Sequence, residues 1–155
     1  MRTSNTTHGV GAYTMPVVAA VDRSERAESV LKRASVLADD ADLDLHVVHV
    51  GKSMVPHYKS GYETKGTEII SKQKATGIAR DIGQDVLGGT EFQPVGLQGD
   101  PAREILEYAA EHDAEYIVVS ARKQSPLGQA VFGSVTQSLL LNADRPVVSV
   151  PPDSA

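Results

Sequence analysis

The chain has no cysteine among its 155 residues. That removes disulfides, thiolate nucleophiles, iron–sulfur clusters and cysteine-based zinc sites, and it fits a reducing cytoplasm. A metal would have to be held by histidine and carboxylates alone. No run approaches the roughly 20 consecutive apolar residues that span a bilayer. The opening MRTSNTTHGVGAYT is polar and glycine-bearing and lacks the basic-then-apolar order of a signal peptide, so the chain reads as a soluble protein with no membrane role. Positive charge is in short supply: Lys+Arg 15 against Asp+Glu 20 gives a formal net charge of -5. A surface of that sign repels nucleic acid and anionic lipid, and argues against polyanionic partners.

What is present is an ordinary globular balance, 41% hydrophobic and 23% charged, at a length suited to one domain with a self-sufficient core. Residues 1–14 read as a flexible arm, with Met15 as a candidate natural start. Residues 15–150 form the domain. The stub 151–155 opens on Pro151 and Pro152, which cannot extend a strand or helix for want of N–H donors.

Short apolar runs alternate with stretches of helical period, the pattern of a parallel sheet covered by helices on both faces. PVVAAV, Pro16 to Val21, is continuously apolar and predicts a central strand. Ala27, Val30, Leu31, Ala34, Leu37, Ala38 and Ala41 then recur at helical spacing, with Ser24 placed as a cap. Leu43 to Val50 predicts a second strand, followed by an irregular loop from Gly51 to Gly66. A weaker helix carries Ile70, Ile78, Ala79, Ile82 and Val86 on one face, and Gly77 and Gly83 each cost it about 1 kcal/mol relative to alanine. Phe92 to Gln98 is the third strand. Asp100 suits an N-cap and Pro101 a first helical position, with Ala102, Ile105, Leu106 and Ala109 facing inward. Tyr116 to Ser120 is the fourth strand. Residues 121–132 form a long loop before a last helix opened by Gly133-Ser134, with Val135, Ser138, Leu139 and Asn142 on one face, and Pro146 to Val150 closes the sheet.

In such sheets ligands bind beyond the carboxyl ends of the strands. Asp22, Gly51, Gly99-Asp100 and the segment Ser120 to Phe132 stand there. The last segment is about twice the usual strand-to-helix length of 2 to 6 residues. It ends where free amides and the positive end of a helix dipole meet the hydroxyls of Ser134 and Thr136. Arg122 and Lys123 add positive charge, so the pattern favours a small phosphate-bearing anion. The bland alternative is a capped helix beside solvated surface charges, and Asp22 could simply cap the first helix. His46 and His49 lie among valines and read as core. No histidine pair has zinc spacing. The G-x-S-x-G elbow, the Walker loop and the G-x-G-x-x-G fingerprint are all absent. No catalytic residue and no metal ligand is assigned.

From Met15 to Val150 the chain resembles the universal stress proteins of the UspA type. The resemblance is carried by VVAAVDRSERAESVLKRA, HVVHV, GDPAREIL, YIVVS and FGSVTQSLLLNADRPVVSV, in that order. It implies a three-layer α/β fold, Rossmann-like and of the adenine nucleotide alpha hydrolase type, with an open five-stranded parallel sheet in order 3-2-1-4-5. It also implies a cytoplasmic homodimer formed through Pro146 to Val150, active in stress response. The nucleotide-binding branch holds ATP with G-x2-G-x9-G-[ST]; the corresponding positions here are Ser120, Lys123, Gly133 and Ser134, so only the second half is kept. By the same resemblance Asp22 faces adenine or ribose, Val50 and Val119 line the adenine pocket, and Val135 and Thr136 add backbone or hydroxyl contacts. Ala20 stands where binders often have proline. The implied ligand is ATP or AMP, with Mg accompanying ATP and at most slow ATP hydrolysis. The alternative is a nucleotide-free interaction protein that uses residues 120–134 for a partner or another anion.

Overall fold

Leucine, valine and alanine in continuous runs leave a strand nothing polar to show to water, and the two central strands are accordingly sealed on both faces. The computed structural model describes residues 15–52, 71–121 and 132–151. The elements are β1 (Val17–Ala20), α1 (Arg26–Asp40), β2 (Leu45–Gly51), α2 (Lys72–Leu87), β3 (Gln93–Gln98), α3 (Pro101–Glu111), β4 (Tyr116–Ser120), α4 (Ser134–Asn142) and β5 (Val147–Val150). They form one five-stranded sheet in the order β3-β2-β1-β4-β5, parallel throughout, as expected. β1, β3 and β5 each start one residue later than expected, after Pro16, Phe92 and Pro146, β2 starts two later at Leu45, and β4 starts at Tyr116 as expected.

Alternation along the strands builds two cores. Val17, Ala19 and Val47 face α1 and α2, packing with Val30, Leu31, Ala34 and Ala79. Val18, Val48 and Ile117 face the other way, against Ile105, Tyr108, Ala109 and Leu139 of α3 and α4.

The start of α3 is as expected, with Asp100 accepting from the amide of Arg103 at 3.1 Å and Pro101 at the first position. Three helical details differ. The cap position of α1 is Glu25; Ser24 lies one residue earlier, gives its hydroxyl to Asp22 and accepts from the amide of Arg26 at 3.3 Å. The buried stripe of α2 is Ala75, Ala79 and Gly83, with Ile82 and Val86 flanking it, while Ile70 lies outside the described residues. In α4 the buried residues are Thr136 and Leu139. Asn142 is exposed and donates back to the Ser138 carbonyl at 2.8 Å.

The small stripe of α2 has a steric reason. A Cβ at Gly96 of β3 would overlap the backbone of Thr76 and Lys72, and one at Gly83 would overlap the ring of Phe92. Glycine here lets helix and strand lie closer than side chains allow.

At the opposite end of the sheet from the strand carboxyl termini, His46 Nδ1 lies 2.7 Å from the Tyr108 hydroxyl. His112 stacks on the Tyr108 ring with centroids 3.9 Å apart. Both His46 and His49 are buried, at 7% and 8% exposure. Arg145 ties the same end together, donating to the Ala114 carbonyl at 2.8 Å and pairing with Asp113 and Asp144.

Candidate functional site

The helices after β1 and β4 depart to opposite faces of the sheet, which leaves a crevice above the carboxyl ends of these two adjacent strands. A cleft of about 550 Å³ lies there. Its apolar lining comes from Ala20, Val48, Val50, Val119, Val30 and Ile105. The polar lining comes from the residues that follow each strand, as the fold requires.

On the β4 side, Gly133 caps α4 with extended backbone and no side chain to offer. The first amide to find a carbonyl there is that of Gln137, which donates to Gly133 O at 2.9 Å. The amides of Ser134, Val135 and Thr136 precede it, and a helix supplies no internal acceptors to its first turn. They face the cleft with the positive end of the dipole behind them.

On the β1 side, the Asp22 carboxylate accepts from the Ser24 amide at 2.8 Å and from the Ser24 hydroxyl on the same oxygen, Oδ1. Its Oδ2 lies 3.4 Å from an Arg26 nitrogen. Burial alone pushes this carboxyl up, but the two Ser24 bonds and the Arg26 charge outweigh it, leaving Asp22 below the ordinary carboxylate range. It is therefore ionised at neutral pH. His49 Nδ1 lies 2.9 Å from the Val21 carbonyl. A carbonyl only accepts, so Nδ1 carries the proton and Nε2 of the neutral ring is an acceptor.

Asp22, Val50, Val119, Ser120, Gly133, Ser134, Val135 and Thr136 all line this one cleft. Lys123, like Arg122, lies outside the described residues. The Thr136 hydroxyl is buried and donates to the Ser120 carbonyl at 2.7 Å, so of its two expected kinds of contact the backbone one is left. Its amide remains available. The sequence reading passed over Arg23, Arg26, His49, Lys52 and Pro101, which also line the cleft. Arg23 and Lys52 stand just after strand ends, as Asp22 does, so the same positional rule reaches them, whereas Arg26 opens α1 four residues beyond Asp22. His49 is both a core side chain and part of the lining. Among the described residues there is no cluster of three or more histidine, cysteine or carboxylate side chains able to hold a metal ion, and no helix is long and apolar enough to cross a membrane.

The sequence profile described as Universal stress protein family matches residues 14–151. A universal stress protein from Archaeoglobus fulgidus superposes with a TM-score of 0.65 at 35% identity, covering 88% of this chain and 98% of that one. The structure of the universal stress protein from the same organism in complex with dAMP gives 0.62 at 32% identity, covering 89% and 98%. Universal stress protein YxiE of Bacillus subtilis is 24% identical over 86% of this chain and 97% of its own length. Other curated relatives match over shorter stretches. The chain spans 45% of a universal stress protein of Mycolicibacterium smegmatis, at 42% identity over 60 residues. It spans 32% of stress response protein NhaX of Bacillus subtilis, at 43% identity over 54 residues. The fold is thus an open parallel α/β sheet with a cleft above the carboxyl ends of its central strands. The chain belongs to the universal stress protein family.

Proposed function

We propose that this chain is a small regulatory module of stress response that binds an adenine nucleotide, ATP or AMP, in the cleft above β1 and β4. The observation that carries the reading is the meeting of an apolar floor with first-turn amides of α4 that have no partner among the described residues. A base is held by the first and a phosphate by the second. The dAMP complex of the 32% identical relative supports the same class of ligand.

Val50 and Val119, with Val48 and Ile105, would take the flat apolar ring. Gly133, Ser134, Val135 and Thr136 would take the phosphates through backbone amides and the Ser134 hydroxyl, and Lys123 and Ser120 complete that side of the expected set. Asp22 keeps acceptor capacity on Oδ2 for a ribose or amine hydrogen. Mg²⁺ would arrive with ATP and rest mainly on its phosphate oxygens, because Asp22 is the single carboxylate on the described lining. No side chain is assigned as a general base, so turnover beyond slow hydrolysis is not proposed. The functional unit is a cytoplasmic homodimer joined through the edge strand 146–150. In support, β5 pairs with β4 on one side only, and Phe132, Leu140 and Leu141 stand exposed at 44%, 42% and 75%.

Isothermal titration with ATP and AMP tests the reading. Saturable heat is expected, lost in Ser134→Trp, which fills the mouth of the cleft. No heat at millimolar nucleotide would overturn it and leave a nucleotide-free protein that meets a partner or another anion through residues 120–134.

A further inference from the structure

The described lining of the cleft holds Arg23, Arg26 and Lys52 against Asp22 alone, in a chain whose net charge is -5. Local excess of positive charge on an acidic protein concentrates anions at that spot. Of the three cations, Arg26 differs in being partly buried, whereas Arg23 and Lys52 are exposed. Its side chain is only 25% exposed, and its Nε is buried with no hydrogen-bond partner. Its contact with Asp22 is 3.4 Å, longer than the 2.7–2.9 Å usual for a charge-assisted bond.

Asp22 explains the shortfall. Its Oδ1 already takes two hydrogens from Ser24, so the carboxylate is turned toward the Asp22–Ser24 turn rather than squarely toward the guanidinium. Arg26 stands at the first position of α1, four residues after Asp22, and reaches its Oδ2 only at 3.4 Å. A desolvated guanidinium with unmet donors is a poor end state by itself and a ready receptor for a planar or tetrahedral oxyanion.

We infer that Arg26 is a specificity-determining residue of the cleft, leaving its partial pairing with Asp22 to bind a phosphate oxygen of the ligand and so selecting nucleotides over uncharged nucleosides. This rests on the nucleotide reading above. In the bound state the guanidinium gives two donors to the phosphate, and Oδ2 of Asp22 is released to accept from the sugar or base.

The test compares AMP with adenosine by calorimetry on wild type, Arg26→Gln and Arg26→Lys, with the unfolding midpoint of each free protein as the folding control. Arg26→Gln is expected to weaken AMP by about tenfold, the loss typical of one charge-assisted hydrogen bond, with adenosine changed less than about twofold. Arg26→Lys falls between, because the charge stays and the fork is lost. Equal loss for AMP and adenosine, or unchanged AMP affinity in Arg26→Gln, overturns the assignment while leaving nucleotide binding intact. Wild type that takes up neither ligand overturns the nucleotide reading and this inference together.

Discussion

Thr136 Oγ1 donates to the carbonyl of Ser120 at 2.7 Å, so the first turn of α4 hangs from the last residue of β4. The bond fixes where the free amides of α4 stand relative to the sheet. Thr136→Val keeps the shape and removes the donor, leaving a part-buried carbonyl unmet. A loss of about 1–3 kcal/mol is expected, read as a lower urea midpoint with an unchanged slope. Nucleotide affinity should fall as well. Full affinity in a destabilised Thr136→Val protein would show that α4 holds its place without the bond.

Gly96 and Gly83 should respond differently to alanine. At Gly96 the obstacle is backbone of α2, which cannot step aside, whereas at Gly83 it is the ring of Phe92. Gly96→Ala is expected to cost 2 kcal/mol or more, toward or beyond the usual range of about 1–3 for overpacking. Gly83→Ala regains about 1 kcal/mol of helix propensity and costs less. Chemical denaturation of both variants ranks them, and a milder effect at Gly96 would contradict the close approach.

The His46, Tyr108 and His112 group gives stability a pH dependence of defined sign. Burial, with the charge of His112, depresses the His46 pKa despite Asp44 nearby. The unfolded chain then binds the proton more readily than the folded one, so stability is full above the unfolded value near 6.5. It falls as the pH drops below that toward the depressed folded value. Burial, assisted by Glu111, raises Tyr108 to about 12. The folded state keeps that proton longer, and stability declines as pH rises from the unfolded value near 10 toward about 12. Denaturant midpoints followed across pH should show both slopes, with His46→Gln flattening the acid one and Tyr108→Phe the alkaline one.

Leu141 is 75% exposed, and substitutions at such positions usually change stability by no more than about 0.5 kcal/mol. If it flanks the β5 edge in a dimer, Leu141→Glu should shift the sedimenting species to a monomer while the melting of the domain barely moves. A wild type that sediments as a monomer at micromolar concentration would remove the dimer.

The fold was legible because its signals were strong and local. Continuous apolar runs such as VVAA and YIVV leave no solvent face, and Asp100-Pro101 is a start signal whose two parts act in one turn. Of the face expected on α2, Ala79, Ile82 and Val86 do pack on the core, while Ala75 and Gly83 escape a periodicity that looks for large apolar residues. At Gly83 the smallness is required by the ring of Phe92, which precedes β3. The cleft was half legible. Residues after strands are placed by topology, which is why Asp22 and Ser134 were found. The valine neighbours of His49 signal its burial and say nothing of its place on the lining, and the unmet Nε of Arg26 is a matter of geometry that no sequence pattern carries.

The two edges of the sheet are not alike. Edge strand β3 contains Pro94, which has no hydrogen to offer a newcomer, and Gly96, against which α2 lies too closely for any Cβ. Edge strand β5 reads VVSV with neither. A body with a single receptive border can join one other body and then has no border left. In the homodimer proposed through β5, growth through this sheet would end at a pair, and a run of stacked copies, the route to a fibril, would have nowhere to continue.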